Sequence, residues 1–234
     1  MPPKGDVVTE NEIQLSSMIG DIQIISKQDE LTTYENQPAR SYHILASVSF
    51  IQFELELIVV ERLNEHPSIE VMKVDIIGGW KCELEPLIRQ VEENREPTML
   101  LLGLRSFANE VQYRQDVWKW MKETWGSAVS FPVDMYSNSV LVCFDKSAST
   151  SEHPKFLISW SIAFSPTGIV QPMIHPFFYM QSDKRSIQRE LDALQNEIVD
   201  EFLALTEVHG IESAIQFLMD CLLFCVCLVS ITVW

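Results

Sequence analysis

Ile51-Gln52-Phe53-Glu54-Leu55-Glu56-Leu57-Ile58-Val59 carries a period of two. Ile51, Phe53, Leu55, Leu57 and Val59 alternate with Gln52, Glu54 and Glu56. Successive side chains of a strand point to opposite faces, so this pattern turns one apolar face toward a core. Downstream, Met72, Val74 and Ile76 alternate with Lys73 and Asp75, a second strand that Gly78-Gly79 ends. The stretch between them, Glu61 to Ser68 with Asn64 and Pro67, reads as a turn. Neighbouring strands on so short a connection are expected to pair antiparallel. Upstream, the apolar run Ile22 to Ile25 is expected as an edge strand after a brief helix carrying Leu15, Met18 and Ile19. The polar segment Ser26 to Ser41, with Pro38, reads as a loop. Met1 to Glu12, polar with paired prolines, reads as a flexible terminus.

Beyond Gly79 the period changes. Leu84, Leu87, Ile88 and Val91 have helical spacing, with Pro86 expected in the first turn. Pro97 to Trp125 predicts a long helix. Its stripe runs through Leu101, Leu104, Ala108 and Val111, then continues after a slip through Trp118, Met121 and Trp125, with Gly126 as the stop. The order then repeats. Val140, Val142 and Phe144 suggest a strand, and Phe156, Ile158, Trp160, Ile162 and Phe164 alternate with Ser159, Ser161 and Ala163. Ser165-Pro166-Thr167-Gly168 suits a turn, and Ile169 to His175 holds Pro172, which belongs on an edge or at a bulge. Ile187, Leu191, Leu194, Ile198, Phe202 and Leu205 trace a helix that Gly210 interrupts, and Ile211, Ala214, Ile215, Leu218 and Leu222 begin another. Strands then helices, twice over, predict an α+β fold of two tandem modules, each an antiparallel sheet packed against helices. The first is expected over residues 13–126 and the second over 130–224, with an atypical apolar tail at 225–234.

Hydrophobic residues make up 47% of the 234, ample for a sizeable core. Thirty-three acidic residues against 17 basic ones give a net charge of −16. That charge repels phosphate backbones, so direct nucleic-acid binding is not expected, whereas a basic protein partner is compatible. Five cysteines, Cys82, Cys143, Cys221, Cys225 and Cys227, form no evenly spaced disulfide framework and fit a reduced compartment. Cys225-Val-Cys227 has no His or second Cys pair nearby, so no metal is expected. Cys221 to Trp234 is uncharged; a buried helix explains it better than a membrane anchor, which needs about 20 apolar residues and here would have to include Asp220.

No sequence motif for nucleotide binding or a serine nucleophile occurs, and His43, His66, His153, His175 and His209 are dispersed. No catalytic residue and no cofactor are expected. The candidates are surfaces. Residues 118, 121 and 125 share one face of the long helix, while Tyr113 and Trp120 lie close to a second face. Core packing is the ordinary explanation, and a docking surface is the alternative, because Trp and Tyr dominate interface energetics. The acidic helix Ser186 to Glu207, with Glu190, Asp192, Glu197, Asp200 and Glu201, is either a solvated face or a dock for a basic segment.

Leu104-Arg105-Ser106-Phe107-Ala108-Asn109-Glu110-Val111-Gln112-Tyr113-Arg114, running on to Trp125, resembles the helix closing the first RWD module of the centromere protein P family. Phe50 to Val60 with Glu61-Arg62-Leu63 is similar to that family's first central strand, Phe156 to Ala163 to the strand of its second module, and Gly210 to Leu218 to its closing helix. The stretches keep the family's order from about Leu15 to Leu222. The resemblance implies a tandem RWD fold and association with centromere protein O, alongside subunits Q, U and R, in the constitutive centromere-associated network. It also implies a nuclear place at the centromere and kinetochore, in CENP-A-containing chromatin, and support of chromosome alignment and spindle attachment without catalysis. The family usually carries an N-terminal coiled coil, where this chain has about a dozen residues before the match, and the apolar ending differs from the polar one expected; an alternative or incomplete gene product would explain both. RWD modules share their fold with ubiquitin-conjugating enzymes, which makes Cys82, flanked by Lys81 and Glu83, the thiol to weigh. No His-Pro-Asn-type stretch precedes it, so a non-enzymatic scaffold in a hetero-oligomer is the expectation, with an RWD-type ubiquitin-pathway binding protein or a tail-anchored membrane protein as the alternatives.

Overall fold

The computed structural model describes residues 22–62, 66–126, 155–179 and 185–220. In chain order they form β1 (Ile22–Tyr34), β2 (Gln37–Val48), β3 (Ile51–Val60), β4 (Ser68–Ile77), α1 (Lys81–Asn94), α2 (Pro97–Trp125), β5 (Lys155–Phe164), β6 (Val170–Tyr179), α3 (Arg185–His209) and a final helix α4 at 211–220. The helix expected around Leu15, the strand at Val140 to Phe144 and the run from Cys221 lie outside the described residues.

Strands β1 to β4 form one antiparallel four-stranded sheet in sequence order. The alternation read in β3 is seen over its first half, where Ile51, Phe53 and Leu55 are buried and Gln52 and Glu54 exposed; Leu57 and Val59 are only half-buried, because the register shifts between Ile58 and Val59 and Val60 takes the buried place. Phe53 pairs with Ile76 and Leu55 with Val74, so the two strands turn one common apolar face. Leu84, Leu87 and Val91 of α1 and Leu100, Leu104, Phe107 and Val111 of α2 pack on that face. Trp80 links it to Phe107, edge-on with centroids 5.8 Å apart.

Ser26 to Ser41 is not a loop. β1 continues through 13 residues to Tyr34, turns at Glu35-Asn36, and returns as β2. Nine consecutive residues of β1, 23–31, are exposed. A strand solvated on both faces has no apolar period to betray it, and here cross-strand pairs supply the contacts. Arg40 donates to Asp29 at 2.9 Å, and the Lys27 ammonium sits 5.4 Å from the Tyr42 ring centre. The two turn residues have φ 47° and 64°, the backbone a tight two-residue hairpin requires.

Two helical expectations also shift. α1 begins at Lys81, because the Trp80 carbonyl accepts the Leu84 N–H at 3.0 Å, so Pro86 falls in the second turn rather than the first. A proline there forgoes the bond to the Cys82 carbonyl, a loss confined to the start of the helix. In α2 there is no slip. Leu100, Leu104, Phe107, Val111, Arg114, Trp118 and Met121 are all buried, spaced alternately four and three apart. Arg114 holds the place where the apolar pattern breaks. Gly126 follows at φ 52°, a left-handed helix stop.

β5 and β6 form a two-stranded sheet joined by the expected turn, in which the Gly168 N–H donates to the Ser165 carbonyl at 2.9 Å. Ile158 and Trp160 of β5 are fully buried, and with Val117, Trp118 and Met121 of α2, Phe202 of α3, and Ile211, Ala214 and Ile215 of α4 they form a second core. The chain divides into two compact units, Met1–Tyr113 with Ile162–Pro172, and Arg114–Ser161 with Met173–Trp234. The divisions therefore fall inside α2, β5 and β6.

Candidate functional site

Among the described residues, no group of three or more His, Cys, Asp or Glu side chains is placed to hold a metal ion. Cys82 is exposed at the start of α1. Its neighbour Lys81 donates to Asp75 at 2.5 Å, and that bond raises the Lys81 pKa. The face of the first sheet opposite the helices holds a shallow depression of about 560 Å³, lined among others by Ser26, Gln28, His43, Glu54, Glu56 and Lys73. Lys73 lies 3.6 Å from Glu56. Carboxylates, one lysine and one imidazole on an open sheet face supply no activated nucleophile and no oxyanion donors.

The two edges of the four-stranded sheet are treated differently. At β4, Glu92 of α1 accepts the Val74 N–H at 2.7 Å. Glu70 on the same strand accepts from Ser68 at 2.8 Å and lies 3.3 Å from Arg62 and 3.5 Å from Arg95. A carboxylate on an outward N–H blocks the template that an open edge presents. β1, at the other edge, shows Leu31 with 82% exposure. A bulge between Ile24 and Ser26 interrupts its pairing with β2.

The residues singled out from the sequence fall as follows. Tyr113 on α2 is 43% exposed. Trp120 is half-buried and meets Trp125 edge-on at 5.0 Å. Trp118 belongs to the second core, at right angles to Trp160 with centroids 5.6 Å apart. Glu197 and Glu201 are exposed, four apart on one face of α3, with Asp200 beside them; the side chain of Glu190 lies outside the described residues. Arg114 escaped the sequence reading. It is 2% exposed and donates through Nη1 to the Trp160 carbonyl at 2.7 Å, tying α2 to β5. Its signal was the spacing: it stands three residues after Val111 and four before Trp118, where a core side chain was due. Glu92 had no comparable signal, because only the packed fold brings a helix carboxylate to a strand amide.

Among the described residues no helix is long and apolar enough to cross a membrane. No curated protein matches the chain. The family model described as "CENP-A-nucleosome distal (CAD) centromere subunit, CENP-P" matches residues 41–219, from the middle of β2 to the end of α4. A match over that span takes in both compact units and both cores, and so the chain belongs to the CENP-P family of structural centromere subunits, nuclear and chromosomal components of the kinetochore.

Proposed function

We propose that this chain is a non-enzymatic tandem RWD subunit that pairs with centromere protein O within the O/P/Q/U/R subcomplex and works by affinity and geometry alone. The observation that carries the reading is the family match across residues 41–219. An antiparallel sheet backed by α1 and α2, and a second strand pair with α3 and α4 in its core, support a reading as two α+β modules. The exposed β1 edge supports pairing with a partner strand, and Tyr113, Trp120 and the exposed Glu197 and Glu201 are the positions on which docking is expected to depend.

Co-expression with centromere protein O, followed by size-exclusion chromatography, tests this directly. A stable one-to-one species supports the pairing; two independently eluting proteins overturn it. Within such a complex, Tyr113→Ala should weaken binding by roughly tenfold, the scale of a moderate interface residue, with the thermal midpoint of the free chain measured as the stability control. Trp120→Ala needs the same stability control, since its ring packs on Trp125. Unaltered co-elution of both variants would remove α2 from the interface.

A further inference from the structure

We propose that Ser165 is a phosphoryl acceptor for a proline-directed protein kinase, and that modification opens the turn between β5 and β6. Ser165-Pro166 is the one place in the sequence where Ser or Thr precedes Pro. Proline has no N–H, so a kinase pocket that is apolar and lacks an acceptor admits it, while any other residue would bring a donor left unsatisfied there. The fold places this dipeptide at a surface turn, with Ser165 half-buried. Pro166 and Thr167 are exposed at the tip, and Ile169 beside them is 61% exposed.

The same hydroxyl holds the turn together. Ser165 Oγ accepts the Ile169 N–H at 3.0 Å and the Thr167 N–H at 3.3 Å, and lies 2.9 Å from Thr167 Oγ1. Around it, the Ser165 N–H donates to the Ile169 carbonyl at 2.8 Å, and the Gln90 amide of α1 donates to the Pro166 carbonyl. Gly168 has φ 74°, a conformation L side chains rarely adopt, and a Cβ there would press on the Met99 side chain at 3.0 Å.

In the transfer, Ser165 Oγ attacks the γ-phosphorus of a nucleoside triphosphate. The Oγ–P bond forms, the bond from that phosphorus to the β–γ bridging oxygen breaks, the nucleoside diphosphate leaves, and the hydroxyl proton passes to the kinase's base. The product carries close to two negative charges and three new oxygens. The added phosphoryl group competes for the space beside the Thr167 hydroxyl, 2.9 Å from Ser165 Oγ; the side chain rotates toward solvent, and the Thr167 and Ile169 amides exchange their Oγ acceptor for water. The turn that closes β5 against β6 then becomes sensitive to phosphorylation.

The test treats the purified full chain with a cyclin-dependent-type kinase and ATP, with a peptide of residues 160–170 as an accessible control. Sites are located by mass spectrometry, and amide hydrogen exchange is followed at Thr167, Gly168 and Ile169. The expected result is phosphate on Ser165 in the wild type, none at this turn in Ser165→Ala or in Pro166→Ala, which keeps the hydroxyl, and exchange at Ile169 faster by on the order of tenfold after modification. A peptide that is modified while the folded chain is not overturns the proposal, as does a peptide that is not a substrate. Phosphorylation of Pro166→Ala at the wild-type rate refutes the kinase class, and unchanged exchange in the modified chain refutes the opening.

Discussion

Arg114 is a guanidinium placed where every neighbouring position of the α2 stripe is apolar. It is buried to 2% exposure and donates to the carbonyl of Trp160, which is itself fully buried. Truncation removes both a donor and the volume of a long side chain. Arg114→Ala is therefore expected to lower unfolding stability by roughly 2–4 kcal/mol. Arg114→Met restores most of the volume without the donor and should cost roughly 1–2 kcal/mol. Urea denaturation of the three chains reads this out, and equal midpoints would show that the residue is solvated in solution. Glu110, one turn earlier, behaves oppositely: burial raises its pKa above the ordinary carboxylate value. The folded state then holds the proton longer than the unfolded state, so the penalty is absent below the unfolded pKa and fully present above the folded one. Glu110→Gln should raise the melting temperature at pH 7, and the advantage should vanish as the pH falls below the normal carboxylate range. A constant difference across pH would point to packing instead of charge.

At the scale of elements, α1 and α2 approach so closely at Gly103 that a Cβ there would lie 2.7 Å from both methyl carbons of Leu87. Glycine inside a helix ordinarily costs about 1 kcal/mol against alanine, so propensity alone says that Gly103→Ala should stabilise. Leu87 is fully buried and has no open space to swing into, so overpacking wins, and the substitution should destabilise by roughly 1–3 kcal/mol. Combining it with Leu87→Ala should cost less than the sum of the two, because the added methyl enters the space the leucine vacates. Chemical denaturation of the double-mutant cycle decides it, with strict additivity as the failing result. The elements themselves differ in legibility. β3 and β5 announce themselves by alternation because one face is buried and the other is not. The β1–β2 hairpin does not, since most of β1 is solvated, and its turn at Glu35-Asn36 lacks the glycine that marks tight hairpins.

For the whole molecule, the net charge of −16 acts at long range on whatever approaches it. With a basic partner subunit, raising salt from about 0.1 M to about 1 M shortens the screening length from about 10 Å to about 3 Å. Association should then slow by roughly tenfold or more while dissociation changes little; an association rate indifferent to salt would exclude charge steering. The sequence by itself determined the α+β class, the strands β3, β4 and β5, the long helix from Pro97 to Trp125, and, through the order of short degenerate stretches, the family. These depend on periodicity and element order, which are local and survive without coordinates. Tertiary structure alone decided that Ser26 to Ser41 is a hairpin, that Arg114 meets the Trp160 carbonyl, that Glu92 closes one sheet edge, and that Gly103 is needed by Leu87. Each of these is settled by which distant side chain or backbone group comes within a few ångströms, and no spacing along the chain encodes that distance.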